Sequence, residues 1–211
     1  MSAFDRHLWT AARQLPSYEN GDTTIRVANS VADLMQVVAI RAAVFLAEQS
    51  CPYEEEFDGN DLCALHLIAS VRREPAACLR VRFFADFAKL ERLAVRHEFR
   101  RSVLAFEVVR AGIRLARRKG YTRIYGHAQD RLVPFWSRFG ARPMSPRRPL
   151  KFSDFSYVEM LLEAEPDPQA LSLADDPYVL IRPEGHWDTP GPLERSTARP
   201  VTSPNRKVRA A

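Results

Sequence analysis

The sequence predicts an α+β fold: a central mixed β-sheet flanked by helices on both faces. Residues 63–72 and 76–84 are apolar-rich runs joined across Arg72-Arg73-Glu74-Pro75, the pattern of a β-hairpin. Residues 31–49 and 103–119 repeat apolar side chains at helical spacing. Between hairpin and second helix, residues 88–95 run as a strand into a basic turn, Arg96 to Ser102.

Taken in order, residues 1–21 read as a leader with a short helix and a Pro16–Gly21 turn region, and 23–28 as a first strand. Ser30 or Asn29 caps the helix 31–49, whose apolar positions are Val31, Leu34, Val37, Val38, Ala42, Phe45 and Leu46. An acidic loop, 54–61, follows; it suits attraction of a cationic acceptor or plain solvation. After the hairpin and strand 88–95, the helix 103–119 stops at Gly120, which takes a left-handed cap without a Cβ penalty. Residues 122–128 read as a strand, 131–139 as a short helix and Tyr157 to Glu163 as the closing strand.

From Ala164 the composition changes. Residues 164–211 hold eight of the fifteen prolines, so this segment is expected to be extended. Within it, Pro177 to Ile181 and His186-Trp187-Asp188 carry enough apolar surface to dock on the domain or on a partner subunit, as in a homodimer. The organisation is a leader, 1–21, a domain, 22–163, and a tail, 164–211.

The net charge is +5, but residues 92–123 alone carry ten Lys or Arg against two Glu, a local +8 over a remainder of −3. Such an excess suits a ligand with several phosphates or a nucleic acid. Nucleic acid is the weaker reading. Arg110, Arg114, Arg117, Arg118 and Lys119 read as a solvated helix face, and no zinc-finger or aromatic RNA-binding motif accompanies them. Hydrophobic content of 46% and charged content of 27% fit a soluble globular chain, with apolar runs too short to span a membrane. Met1 to Thr10 carries Asp5 and Arg6 and no apolar signal core, so a cytoplasmic location is expected. Cys51, Cys63 and Cys78 and the scattered histidines form no metal spacing, so no metal is expected.

A strand ending in a basic turn at a helix N-terminus is a place to hold a phosphate. The first turn leaves backbone N–H groups unpaired, and the dipole adds positive charge. Arg96, Arg100 and Arg101 add fork-shaped donors; the plainer alternative is that they only solvate the connection.

The window Arg100-Arg101-Ser102-Val103-Leu104-Ala105 resembles motif A of the GNAT N-acyltransferase superfamily, Arg/Gln-x-x-Gly-x-Gly/Ala. Val103 departs from the middle Gly; its N–H can still donate, but its branched side chain limits close approach. Residues Gln129 to Pro143 resemble the GNAT segment Asn-x-x-Ala-x-x-Phe-Tyr-x-x-x-Gly-Phe. Gln129 replaces the Asn, Trp136 the Tyr and Ala141 the last Phe, while Phe135 and Gly140 match. Phe135, Trp136 and Phe139 also suit the core face of a short helix. Upstream, Val44 to Asp61 is similar to one GNAT branch and to the N-terminal part of acyl-homoserine-lactone and N-acyl amino acid synthases. Together the three stretches cover roughly residues 22–163.

The resemblance implies a GNAT-like fold in which two neighbouring parallel strands splay apart around a pantetheine arm. It implies an acyltransferase, an N-acetyltransferase moving acetyl from acetyl-CoA to a small-molecule or other amine. The implied cofactor contacts are Leu93, Ala94 and Val95 on the strand, Arg100, Arg101, Ser102, Val103, Leu104 and Ala105 at the helix start, and Gln129 and Phe135 beyond. Trp136 cannot protonate a leaving thiolate as the family's Tyr often does. For the base, Glu91 is expected to share a face with Leu93 and Val95; pairing with a neighbouring Arg is the alternative. His66 is a second candidate, or a satisfied structural histidine. Two alternatives stand: an acyl-carrier-protein-dependent N-acyl amino acid or homoserine-lactone synthase, against which Lys89 counts, and a non-catalytic coenzyme A- or nucleic-acid-binding module.

Overall fold

The computed structural model describes residues 23–146, 148–152 and 154–200; the expected leader, 1–21, lies outside the described residues. Strand β1 (Thr23–Val27) leads to helix α1 (Val31–Arg41). Ser30 caps this helix, its Oγ accepting from the Asp33 N–H at 3.1 Å. The helix continues as expected but widens to π-helical pitch over Ala42–Glu48. One helical turn, α2 (Tyr53–Glu56), opens the acidic loop.

Strands β2 (Leu65–Val71) and β3 (Glu74–Phe83) form the hairpin. Arg72 and Arg73 take left-handed φ of 50° and 68°, as a tight turn matched to the strand twist requires. Strand β4 (Ala88–Val95), a 3-10 turn at His97–Phe99 and helix α3 (Leu104–Arg118) follow. Then come β5 (Arg123–Gln129), α4 (Val133–Ser137), β6 (Arg142–Pro143), β7 (Leu150–Phe152) and β8 (Phe155–Glu163). The sequence reading lacks β6 and β7, which are too short to show a period of two. Two short helices, α5 (Pro177–Leu180) and α6 (Pro192–Arg195), lie in the tail.

The sheet order is β1-β2-β3-β4-β5-β8-β6, with β7 also pairing β8. Among the described residues only β4 and β5 run parallel, so the sheet is mixed and the fold is α+β, as expected. Helix α3 lies on one face, where Leu104, Val108, Ile113 and Leu115 pack with Leu67, Leu79, Val81 and Leu90. Helix α1 lies on the other, where Val37, Ile40 and Val44 pack with Ile68, Cys78 and Ala94.

The segment after β8 corrects two expectations. It is not extended throughout, and both stretches expected to dock do so on the domain: Trp187 is 4% exposed within the α3-side core, and Val179 packs against that core. The last turn of α3 is not merely solvated either. Arg117 donates to the Glu165 carbonyl at 2.7 Å, and the Arg118 carbonyl accepts from the Leu171 N–H at 2.8 Å. Lys119 lies 3.0 Å from both oxygens of Glu184 and 5.6 Å from the Trp187 ring. A helix C-terminus favours cations, and here those cations gather carbonyls and carboxylates of the returning chain. Arg182, bonded to Glu194 at 2.8 Å and to the Trp187 carbonyl, fixes the loop that delivers the indole.

Candidate active site

Strands β4 and β5 pair only from Ala88 with Ile124 to Leu90 with Gly126. Beyond that point they part. Gly126 marks the parting, since a Cβ there would stand 3.1 Å from the Leu90 carbonyl oxygen. On its other side β4 carries a bulge: Arg80 pairs with Glu91 and Cys78 with Ala94, so Leu79 opposes both Arg92 and Leu93. Arg92 absorbs the extra residue with φ of 54°.

This bulge breaks strand alternation and corrects the expected face of Glu91. Leu90, Leu93 and Val95 all pack on the α3 side. Ala94 packs on the α1 side, where Glu91 also points, beside Arg80.

At the start of α3, Ser102 Oγ donates to the Phe99 carbonyl at 2.6 Å and accepts from the Leu104 N–H at 3.2 Å. Val103 is the N-cap position and is 63% exposed. Two of the three arginines of the turn are committed to structure. Arg96 bonds Glu74 at 2.6 Å and the Pro75 carbonyl at 2.8 Å. Arg100 bonds the Val95 carbonyl at 2.9 Å and the Glu48 carboxylate at the end of the π-helical stretch. Arg101 is exposed.

Beneath the parting strands, Leu90, Ile113, Gly126, Trp136, Phe139 and Met160 wall a cavity on the α3 side. Phe135 stands in an aromatic group with Phe106, Trp136 and Phe139 that joins α4 to α3. Gln129 is buried at the end of β5, its Oε1 accepting from Arg131 at 2.9 Å. Leu93, Val95 and the α3 entrance therefore lie on one side of the sheet, while Glu91 and His66 lie on the other.

The α1 side holds a network of ion pairs. Arg80 donates from Nε to Glu91 at 2.9 Å, from Nη1 to Asp58 and Asp61 at 2.8 Å each, and from Nη2 to Asp58 at 2.6 Å. Arg41 bonds the Glu56 carboxylate, the Glu56 carbonyl at 2.8 Å and Asp61 at 2.5 Å. Arg92 places Nε 3.1 Å from Glu56 and donates to the Glu55 carbonyl at 2.5 Å. Burial opposes ionisation of Asp61, but bonds from Arg41 and Arg80 outweigh it and hold this carboxyl below its ordinary value. Glu56, Asp58 and Asp61 thus serve as anchors, not as a bare acidic lure.

His66 is 4% exposed, its Nε2 lying 2.9 Å from the Asp61 carbonyl; burial holds its imidazole below the ordinary value. Glu91 is engaged at both oxygens, by Arg80 at Oε1 and by Lys89 at 2.7 Å from Oε2.

A second cluster lies on the same face, and the sequence reading missed it. The Tyr125 hydroxyl sits 2.6 Å from Glu159 Oε1 and 2.7 Å from His127 Nε2. Phe152 stacks on Tyr157 at 3.7 Å between centroids, with His127 6.2 Å from Phe152. Burial, then the Lys89 ammonium, holds His127 below its ordinary value, against the pull of Glu159 and Glu91. Burial and the bond to Glu159 push the Tyr125 phenol well above its own. The signal was present as alternation: Tyr125, His127 and Gln129 pair with Leu161, Glu159 and Tyr157, giving adjoining strands one polar, aromatic face. Among the described residues no group of three or more His, Cys, Asp or Glu could hold a metal, and no helix is long and apolar enough to cross a membrane.

The family model described as Acetyltransferase (GNAT) family matches residues 34–141. A Bacillus subtilis (strain 168) protein named as a candidate acetyltransferase, BSU40680, is 31% identical over 124 residues, covering 57% of this chain and 84% of that protein. The structure of Escherichia coli ElaA is similar with a TM-score of 0.59 and 22% identity, over 67% of this chain and 99% of that one. FeeM, an N-acyl amino acid synthase from uncultured soil microbes, is similar with a TM-score of 0.58 and 10% identity, over 67% of this chain and 90% of its own. These two likenesses bear on the fold.

Proposed function

The chain belongs to the GNAT acetyltransferase family, and on that premise we propose that it transfers an acetyl group from acetyl-CoA to the nitrogen of an amine. The observation that carries this reading is the parting of β4 from β5 beyond Leu90 and Gly126, with the start of α3 tied back to β4 through Arg100 and Val95. A strand edge without a partner offers amides and carbonyls to an extended pantetheine arm. The first turn of α3 offers N–H groups to a pyrophosphate.

In this reading Leu93, Ala94 and Val95 present backbone to the arm. Ser102, Val103, Leu104 and Ala105 surround the phosphates, and Arg101 supplies the nearby charge. Arg100 shapes the turn through Glu48 and Val95. Gln129 and Phe135 brace the far wall, from the end of β5 and the middle of α4. Glu91 and His66 frame the acceptor side by charge and packing, each held by partners already named.

The test is binding followed by turnover. Acetyl-CoA raises the melting temperature of the wild-type chain, and Arg101→Glu loses most of that shift. An undiminished shift in Arg101→Glu overturns the placement. A thiol-release screen of amines and amino acids then identifies the acceptor. Binding with no release by any amine supports a coenzyme A-binding module instead.

A further inference from the structure

His127 stands one residue past Gly126, where β5 leaves β4, and faces the side of the sheet that bears Lys89 and Glu91. We propose that His127, oriented by Tyr125 and Glu159, is the group that takes the proton from the acceptor amine. This rests on the acetyltransferase reading above.

The hydrogen-bond directions follow from counting protons. The Tyr125 hydroxyl has one proton and two neighbours, Glu159 Oε1 at 2.6 Å and His127 Nε2 at 2.7 Å. A carboxylate oxygen accepts only, so the phenol donates to Glu159. The phenol oxygen must then accept from His127, which places the imidazole proton on Nε2. The neutral ring keeps its lone pair on Nδ1, and a base needs that lone pair. Tyr125 and Glu159 are positioning residues in this arrangement: they choose the tautomer and fix the ring.

The surroundings favour the neutral ring. Burial disfavours its charged form, and Lys89 on β4 opposes a second positive charge. Glu91 on β4 and Glu159 on β8 act in the opposite sense, and Arg148 lies near enough to act on Tyr125. Tyr157, paired with Gln129 on β8 and stacked on Phe152, walls the same face. Glu91 and His66 are poorer bases by geometry. Both oxygens of Glu91 face cations, and His66 is buried under the Asp61 loop.

The step balances as follows. His127 Nδ1 takes one proton from the acceptor ammonium, leaving an amine with its lone pair. That lone pair attacks the carbonyl carbon of the acyl thioester, and a C–N bond forms. Collapse breaks the C–S bond, and the thiolate leaves with its electron pair. The second nitrogen proton neutralises the thiolate, and the first passes from His127 to water.

The full chain tests this in two ways. Nitrogen-15 NMR of ligand-free protein reads the tautomer with no acceptor present. The expected pattern is protonated Nε2 and bare Nδ1, with the preference lost in Tyr125→Phe. A protonated Nδ1 overturns the proposal. In turnover, His127→Gln is expected to lower kcat about 100-fold or more and to remove the acidic limb of the pH profile, with the acetyl-CoA melting shift retained. Wild-type turnover and an intact limb in His127→Gln overturn this inference alone. Failure of the wild-type chain to acetylate any amine overturns the acetyltransferase reading and this inference with it.

Discussion

Arg92 holds a left-handed backbone, φ 54°, while its guanidinium Nε lies 3.1 Å from the Glu56 carboxylate. The first observation costs about 1–2 kcal/mol for a residue with a Cβ. The second offsets it with charge. The bulge that separates Leu90 from Leu93 and the loop over the α1 side are therefore coupled: Arg92 belongs to both. Glu56 is the deepest carboxylate of the set and meets Arg41 as well.

Glu56→Gln is expected to destabilise the chain by roughly 3–5 kcal/mol, because it leaves the buried Arg41 guanidinium, and the part-exposed one of Arg92, short of a counter-charge. Urea unfolding at pH 7 measures this. A loss below about 1 kcal/mol would show that the loop is held by packing instead.

Glu91→Gln separates two roles for that residue. As an anchor, its loss weakens a charged bond to Arg80 and costs roughly 1–3 kcal/mol. It also removes a negative charge that favours protonated His127, so the acidic limb of kcat/KM is expected to move to lower pH. Turnover of amines across pH checks both. A collapse of turnover at every pH with unchanged stability would instead make Glu91 the proton acceptor.

Trp187→Ala is expected to cost roughly 3–5 kcal/mol, as for other buried tryptophans. Truncation after Glu165 is expected to do more, since it also strands the cationic end of α3. Both are read by thermal and urea unfolding. A truncated domain of wild-type stability would mean that the docking contributes nothing.

Stability is expected to fall on mild acidification. His66, His127 and His186 are all held below the ordinary imidazole value, chiefly by burial. The unfolded chain therefore binds more protons than the folded one once pH drops below about 6.5, and unfolding gains. The loss grows until the folded-state values are passed. Urea midpoints at pH 7 and pH 5 test the sign, and His66→Gln should flatten the difference.

The long elements were legible because their patterns are long. Helix α3 repeats its apolar positions over four turns, and the β2–β3 hairpin alternates on both sides of Arg72 and Arg73. The half of the site proposed for the cofactor was readable as motif: strand, basic turn, helix. The acceptor half was not. Arg92 carries no sequence mark of a bulge, because the left-handed residue there is neither Gly nor Asn, so the parity of Glu91 came out reversed. His127 looked like one of several scattered histidines until β8 set Glu159 opposite it. The prolines after Ala164 predicted extended chain and the apolar residues around Trp187 predicted docking; the indole's burial in the core decided between them.

That indole has a consequence for synthesis. When Glu163 has left the ribosome, every strand of the sheet exists, yet the core still lacks a side chain encoded 24 positions later (163 to 187). At about 5–20 residues per second, the nascent chain spends seconds with that end of the helix–sheet layer open. During this interval the apolar floor that Trp187 will cover is available to chaperones, or to a neighbouring nascent chain. The window closes only when the C-terminal segment folds back over the end of α3.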